Sequence, residues 1–193
     1  MGRWEPDARG RLAKAALDLY SERGFEQTTA AEIARRAGLT ERTFFRHYAD
    51  KREVLFAGSP EMQHLFVTAV AGAAPSASPM EALAAGYDAV SGFFADRRDF
   101  ARKRQAVILQ NAELLERELM KLASLAAALA GALRERGTAT AEASLAAEAG
   151  VAVFKVGFER WVSPGEERGM AQLLRGALAE LGSLTGGRLS GGG

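Results

Sequence analysis

Residues 28–51 read TTAAEIARRAGLTERTFFRHYADK, and the local signals in this stretch decide the fold. Thr29 and Glu32 have the spacing of a capping box, in which each side chain accepts a hydrogen bond from the backbone N–H of the other residue. This pair predicts a short helix over residues 30–37. Gly38 follows directly and can adopt the left-handed backbone that ends a helix.

A second short helix is predicted over residues 41–48, because the hydroxyl of Thr40 is placed to cap its first turn. Leu39 before this cap and Phe44 after it form a hydrophobic staple, which fixes the angle at which the helix begins. Two short helices joined by a tight turn that contains glycine are the plan of a helix-turn-helix, and we predict this motif here.

The helix over residues 41–48 has two unlike faces. At 100° per residue, Phe44 and Tyr48 point in one direction, which we assign to the core of the motif. Arg42 and Arg46 point in the opposite direction. An arginine can bind O6 and N7 of guanine together, so this outer face suits the major groove of DNA.

The neighbours of the two arginines strengthen this interpretation. Thr43 and Phe45 flank them, and a threonine or phenylalanine side chain can contact the methyl group of thymine. Residues 35–52 contain six basic and two acidic side chains, a local charge of +4, as expected of a phosphate-binding surface. A single arginine of this set is more typical of a solvated helix face, but the whole constellation favours DNA.

The rest of the chain is predicted to be helical as well. Apolar residues recur at helical spacing in nearly every segment and no run alternates with period two, so the predicted fold class is all-α. The predicted helices are, in chain order, 7–23, 30–37, 41–48, 51–71, 80–95, 98–109, 112–136, 141–162 and 166–183.

Composition excludes several classes of protein. The chain has 193 residues and no cysteine, so it has no disulfide, no cysteine nucleophile and no cysteine-ligated zinc site. A hydrophobic share of 48% with 25% charged residues is typical of a soluble globular protein. No apolar run reaches the length of a membrane span, and charged residues interrupt the N-terminus too early for a signal peptide. We expect a cytoplasmic protein without membrane association.

Catalytic chemistry finds little support in the sequence. Glu61 and His64 have the i, i+3 spacing of a helical metal pair, but no second pair accompanies them. No glycine-rich phosphate loop follows a strand, because no strand is predicted. We therefore predict no metal, no cofactor and no enzyme activity. The alternative is a helical enzyme or carrier without DNA binding, in which residues 28–51 are an ordinary packing unit.

Residues 8–56 resemble the DNA-binding domain of the TetR family of one-component bacterial regulators. The motifs that carry the resemblance are YSERGF at 20–25, TTAAEIA at 28–34, AGLTERTFFRHY at 37–48 and DKREVL at 50–55. They are highly specific, but they cover only the N-terminal part of the chain. The remainder resembles the family in size and helical content alone.

The resemblance implies contacts with the phosphates of DNA. Thr29 and Ala30 would open the second helix of the chain against one phosphate. Lys51 would begin the fourth helix and bind another. His47 would either contact a phosphate or be a structural histidine whose hydrogen bonds are satisfied inside the protein.

The resemblance also implies contacts along the recognition helix. Many relatives carry a tyrosine at the position of Phe45, and its hydroxyl reaches the DNA backbone. Phe45 lacks that hydroxyl, so we expect an apolar base contact or a packing residue, with Arg46 supplying the polar contact. The complete set of residues expected at DNA is Thr29, Ala30, Arg42, Thr43, Phe45, Arg46, His47 and Lys51.

For the whole chain, the resemblance implies a DNA-binding domain over residues 1–52, a ligand-binding and dimerisation domain over 53–185 and a disordered tail over 186–193. A homodimer formed through the last two helices would read a palindrome in double-stranded DNA. Leu174 and Leu178 are expected at that interface.

A small, largely apolar effector is expected to bind between the middle helices and to release a repressor from DNA. Aromatic and apolar residues are frequent there, although such a stripe is more often core than pocket. Polar residues buried among them would be a more telling sign of a pocket, because a buried polar group needs a partner. The residues predicted to line the pocket are Phe66, Tyr87, Phe94, Gln105, Ile108, Asn111, Phe154 and Phe158.

Overall fold

The structure is a computed structural model that describes residues 7–186. Every regular element in that range is helical, which confirms the predicted all-α fold. The helices are α1 (Ala8–Arg23), α2 (Ala30–Arg36), α3 (Glu41–His47), α4 (Ser59–Ala71), α5 (Pro79–Phe93), α6 (Arg98–Leu109), α7 (Ala112–Glu135), α8 (Thr140–Val162) and α9 (Met170–Thr185), with a 3₁₀ turn (Glu53–Phe56) between α3 and α4. From residue 187 onward, the predicted disordered tail lies outside the described residues.

The helices form two compact units. The first extends to Pro60 and also contains Phe100–Leu119, and the second contains Glu61–Asp99 and the described residues from Met120 onward. Helices α4, α6 and α7 therefore each begin in one unit and end in the other. The predicted domain boundaries at residues 52 and 185 stay predictions.

The first unit has one apolar core, to which the helix-turn-helix and two later helices contribute. Leu12 of α1, Ile33 of α2 and Phe44 of α3 are completely buried in it. Ile108 of α6 and Leu114 of α7 are completely buried in the same cluster. The motif predicted from residues 28–51 is thus supported by segments that lie far along the chain.

Two arginines of this unit hold the 3₁₀ turn in place. Arg104 donates through Nε to the carbonyl of Leu55 at 2.7 Å, and its two terminal nitrogens bind the carboxylate of Glu118 at 3.2 and 2.6 Å. Arg117 donates through Nε to Glu53 at 2.7 Å. Because the Arg104–Glu118 pair is mostly shielded from water, removing one partner would leave the other charge poorly solvated.

The second unit is held together by close approaches between helices. The side chain of Phe66 in α4 is completely buried, and a Cβ at Gly86 of α5 would lie 2.2 Å from its ring. A Cβ at Gly157 of α8 would similarly lie 2.5 Å from the side chain of Leu174 in α9. Leu174 is completely buried in its own chain, so the expectation that it faces a partner subunit is wrong. Leu178 is half-buried.

The expected continuous helix over residues 51–71 is also wrong, because the chain forms a 3₁₀ turn and then a separate helix. Asp50 accepts the backbone N–H groups of Arg52 and Glu53 at 2.8 and 3.1 Å, which starts a tight turn. Pro60 has no backbone N–H, so it fits only the first turn of a helix, and α4 begins one residue before it.

The last helix begins at Met170 and not at residue 166 as predicted. Arg98 donates to the backbone carbonyls of Glu166 and Arg168, so this segment is held outside the helix. Arg168 also donates its side chain and backbone N–H to the carboxylate of Glu166, and these bonds lower the pKa of Glu166 to about 2. Gly169, with an extended backbone, then precedes α9.

Helix α5 allows a direct test of the close packing, because it carries one crowded and one open glycine. Gly86→Ala is expected to lower the free energy of unfolding by about 1–3 kcal/mol, since the new methyl group would collide with Phe66. Gly92→Ala has nothing within 4 Å of the new Cβ and is expected to raise the free energy of unfolding by about 0.5–1 kcal/mol. Urea denaturation followed by circular dichroism measures both. Equal effects would contradict the described approach of α4 and α5.

Candidate nucleic-acid interface

The first helix of the predicted helix-turn-helix begins with the expected capping box. The hydroxyl of Thr29 accepts the N–H of Glu32 at 3.3 Å, and the carboxylate of Glu32 accepts the N–H of Thr29 at 3.0 Å. The hydroxyl of Thr29 also donates to this carboxylate at 3.0 Å, and the two bonds that the carboxylate accepts, from the backbone and the hydroxyl of Thr29, lower the pKa of Glu32. The capping prediction is confirmed, and Ala30 is the first residue of α2.

The turn between α2 and α3 needs its glycine. Gly38 has a φ of +69°, a conformation that costs other residues energy because of their Cβ. The next N–H, that of Leu39, donates to the carbonyl of Ala34 at 2.8 Å and closes the end of α2. Leu39 packs against the core, and the hydroxyl of Thr40 caps α3 by accepting the N–H of Thr43 at 3.2 Å. The turn and the cap are confirmed.

The inner face of α3 is fixed by two aromatic side chains. Phe44 is completely buried, and Tyr48 is nearly so. The hydroxyl of Tyr48 donates to the carbonyl of Arg9 in α1 at 3.0 Å. The predicted orientation of α3 is therefore confirmed.

The outer face of α3 presents Arg42, Phe45 and Arg46 to solvent, as predicted. The Phe45 side chain is 52% exposed, so about half of it is open to a contact outside the chain, and its role as a base contact or a packing residue stays a prediction. An open depression on this surface is lined by Thr40, Arg42, Thr43, Phe45 and Arg46. Thr40 had been assigned only as a helix cap, and its place in the depression follows from the tight turn before α3.

Several basic residues of the segment 35–52 are engaged by neighbouring acids and do not face outward freely. Arg36 forms two hydrogen bonds with the carboxylate of Glu22, at 3.0 and 2.7 Å. Arg52 binds Asp50 at 2.7 Å and lowers the pKa of that carboxyl. Arg36 and Arg52 are thus partly neutralised, and the basic residues that α3 contributes to the segment are Arg42 and Arg46.

Lys51 has an internal role in the structure. Its ammonium donates to the carbonyls of Phe25, Glu26 and Thr28 at 2.9, 3.3 and 3.1 Å, and it lies 4.2 Å from the centre of the Phe25 ring. The three ammonium protons of Lys51 thus each have a carbonyl acceptor. These bonds close the loop between α1 and α2. The expected phosphate contact of Lys51 stays a prediction.

His47 lies at the C-terminal end of α3 and is half-buried. Its Nε2 is enclosed and has no hydrogen-bond partner among the described residues. Because Nε2 is enclosed, a phosphate would reach it only after a local rearrangement. Both roles considered for His47, a phosphate contact and a structural histidine, stay predictions.

The residues predicted to line a ligand pocket fall into both units. Five of them are in the second unit, where their rings form a chain of contacts: Phe66 with Tyr87 and Phe154, and Phe158 with Phe94 and Phe154. The hydroxyl of Tyr87 donates to the carbonyl of Gly150 at 2.8 Å, and burial raises its pKa.

The other three predicted pocket residues are in the first unit. Ile108 is part of that unit's apolar core, and Asn111 donates to the carbonyl of Val107 at 2.6 Å. The side-chain oxygen of Gln105 is enclosed and has no hydrogen-bond partner in the described part of the chain. The assignment of all eight residues to an effector site stays a prediction.

Residues 7–186 contain neither a metal-binding cluster nor a membrane-spanning helix. No group of three histidine, aspartate or glutamate side chains in that range is arranged to hold a metal ion. None of the described helices combines the length and apolar character that crossing a membrane requires.

The motif geometry and the exposed basic face of α3 define a helix-turn-helix protein of the DNA-binding type. Comparison with known sequences agrees: residues 12–57 match the domain described as "Bacterial regulatory proteins, tetR family", and residues 77–185 match the "MftR C-terminal domain". The chain belongs to the TetR family of bacterial transcriptional regulators. Members of this family are regulators and not enzymes, which sets aside the enzyme alternative.

Individual relatives support this assignment. The chain is 33% identical to the HTH-type transcriptional regulator TcmR of Streptomyces glaucescens over 84 residues, which are 44% of this chain and 37% of TcmR. The structure of FadR from Thermus thermophilus, a transcriptional repressor in complex with lauroyl-CoA, is 26% identical with a TM-score of 0.57, covering 96% of this chain and 100% of that one. FadR from Bacillus subtilis in complex with stearoyl-CoA has a TM-score of 0.62 at 21% identity, covering 89% and 96%.

Replacement of the outer arginines tests the interface. Arg42→Ala or Arg46→Ala is expected to weaken specific DNA binding by about 1–3 kcal/mol and to relax base preference, because a bidentate contact to guanine is lost. Arg36→Ala is the control, since Glu22 already holds that guanidinium. Fluorescence anisotropy with a selected duplex and a mismatched one measures both effects. If Arg42→Ala and Arg46→Ala both left affinity and base preference unchanged, the assigned outer face would be wrong.

Proposed function

We propose that this protein is a ligand-responsive repressor that binds a palindromic operator as a homodimer and is released by a small, largely apolar ligand. The observation that carries the proposal is the exposed face of α3, on which Arg42, Phe45 and Arg46 surround an open depression. Family membership supplies the role of transcriptional regulator. Binding to a palindromic operator, the homodimer and release by a ligand are parts of the proposal.

Double-stranded DNA is the proposed partner of this face. A helix as short as α3 contacts only a few base pairs, too few to select one site in a genome. Two copies related by a twofold axis would read two half-sites about 34 Å apart, and the operator would therefore be a palindrome. Action on chromosomal DNA would place the protein in the cytoplasm.

The proposed dimer contacts lie on the last two helices. Helix α8 exposes Leu145, Ala152 and Val156 at helical spacing, with Leu145 74% and Val156 39% exposed. Helix α9 exposes Gly176 and Ala179, which are small enough to let a second helix approach closely. Exposed apolar residues on one helix face are typical of an interface between subunits, and this supports a bundle of four helices from two chains.

The proposed effector carries an acyl chain. FadR of Thermus thermophilus, which is 26% identical to this chain, is described in complex with lauroyl-CoA. The second unit here is rich in buried aromatic and aliphatic side chains, and side chains of this kind would suit a hydrocarbon chain. We therefore use lauroyl-CoA as the first probe for the effector.

The proposed release from DNA depends on helices that continue from one unit into the other. Helices α4, α6 and α7 each begin in one unit and end in the other. A ligand that favours a different arrangement of the second unit would change the separation of the two recognition helices in the dimer. A shift of a few Å would prevent simultaneous docking on two half-sites.

The proposed function is tested by selection of binding sites from a pool of duplexes with a randomised central segment. We expect enrichment of a palindrome whose binding weakens steeply as salt rises, because phosphate contacts release counterions. The double variant Arg42→Ala/Arg46→Ala is the control and should enrich no sequence. Failure of the native protein to enrich any sequence would contradict the proposal.

A charge on the proposed dimer face tests the assembly. Val156→Glu is expected to convert the dimer to a monomer and to weaken operator binding, because an unpaired carboxylate would be buried at a cost of several kcal/mol. Ser144→Glu adds the same charge to α8 outside the proposed face and should leave the dimer intact. Analytical ultracentrifugation measures the mass of each. A Val156→Glu dimer that survived dilution would move the interface elsewhere.

Reciprocal coupling tests the release by ligand. If lauroyl-CoA weakens operator binding, then operator DNA must weaken lauroyl-CoA binding by the same factor, typically about 5–150-fold. Isothermal titration with and without the selected duplex, at one salt concentration, measures this factor. Tight but equal affinities would show that lauroyl-CoA is not the releasing ligand, because a ligand that does not distinguish two states cannot shift their equilibrium.

A further inference from the structure

We propose that Phe45 recognises a thymine through its 5-methyl group, so that each half-site of the operator contains a thymine at one fixed position. This inference rests on the proposed function, because it requires that α3 enters the major groove. It adds the chemistry of one base to that function and names the side chain that reads it.

The first observation is that the Phe45 ring is exposed and also packs against the ring of Phe44. The side chain is 52% exposed, although phenylalanine is an apolar residue. Its ring meets the ring of Phe44 edge to face, with centroids 5.3 Å apart and an angle of 83° between the planes. Phe44 is completely buried, so the partner of this contact is fixed by the core. The exposed ring is therefore oriented before DNA is bound.

The second observation concerns the side chains that surround the Phe45 ring. Phe45 shares its open depression with the guanidinium groups of Arg42 and Arg46. These cations can bind phosphate oxygens or guanine, but a phenyl ring has no polar atom with which to do so. The apolar group that the major groove offers is the 5-methyl of thymine. A phenyl ring on this face can therefore contact the methyl group of thymine, but it cannot bind a phosphate.

The spacing along α3 places the thymine close to the bases read by the arginines. Phe45 is three residues after Arg42 and one residue before Arg46, which corresponds to about 4.5 and 1.5 Å along a helix axis. Base pairs stack about 3.4 Å apart. The thymine is therefore within about two base pairs of each base contacted by the arginines, and it belongs to the same half-site.

The experiment compares thymine with deoxyuridine, which differs only by the absent methyl group. The duplex enriched by the native protein is synthesised with deoxyuridine at one thymine at a time, in both half-sites, and its affinity is measured at fixed salt. At one thymine position, loss of the methyl group should weaken binding about fourfold per half-site and about fifteenfold for both. A loss at any other thymine should be the same in the native protein and in Phe45→Ala.

Variants of the protein assign the effect to the ring. Phe45→Ala should bind the thymine and deoxyuridine duplexes equally well at that position. Phe45→Tyr keeps the ring and should retain the discrimination. Phe100→Ala removes another exposed phenylalanine of the same unit, outside α3, and should behave as the native protein does. Circular dichroism of each variant verifies that the helical fold is present.

The outcomes separate this inference from the proposed function. If the native protein enriches no sequence, the proposed function fails, and the reading of thymine fails with it. If the native protein selects a palindrome but tolerates deoxyuridine at every position, the inference alone is overturned. Discrimination that persists in Phe45→Ala would likewise overturn it, because another side chain would then contact the methyl group.

Discussion

The burial of Phe44 is the constraint on which the DNA-binding surface depends. This side chain is completely removed from water in the core of the first unit, which favours the folded state by about 2 kcal/mol. On a helix, fixing one residue inward fixes the direction of every other residue. With Phe44 inside, Arg42, Phe45 and Arg46 must point outward, and their arrangement is set before any DNA is present.

Ion pairs around the motif refine this surface. The carboxylate of Glu22 holds Arg36, and that of Asp50 holds Arg52, so both guanidinium groups are partly neutralised. A basic segment without such pairs would attract any polyanion. Phosphate contacts position a protein on DNA without reading its sequence, so pairing of these two cations would leave fewer sequence-independent contacts for the proposed binding.

The sequence predicted the helix-turn-helix well, because its signals are local. A capping box needs only Thr29 and Glu32, and the turn needs only Gly38. The direction of Phe44 follows from helical periodicity alone. Periodicity places Phe45 on the flank of α3 beside Phe44, and the structure adds that its side chain is exposed.

Predictions that depended on distant contacts were less successful. Helix α9 begins later than expected because Arg98, which is far away in sequence, holds the segment before it. Periodicity marked Leu174 as apolar but could not show that α8 of the same chain covers it. Nor could it show that Ile108 belongs to the core of the first unit. An apolar pattern identifies a buried face, whereas its partner is decided by tertiary structure.

The central claim is that the outer face of α3 enters the major groove, and the absence of cysteine from the chain allows a direct measurement. Single cysteines are introduced on α3 by Glu41→Cys, Phe45→Cys and Arg46→Cys, and on α7 by Leu115→Cys and Leu119→Cys as exposed controls outside α3 and outside the proposed dimer face. Each is reacted with a maleimide with and without saturating operator duplex. The account predicts that DNA slows the reaction of the three α3 thiols and leaves the controls unchanged. Unchanged rates at all three α3 positions, with the duplex bound, would contradict it.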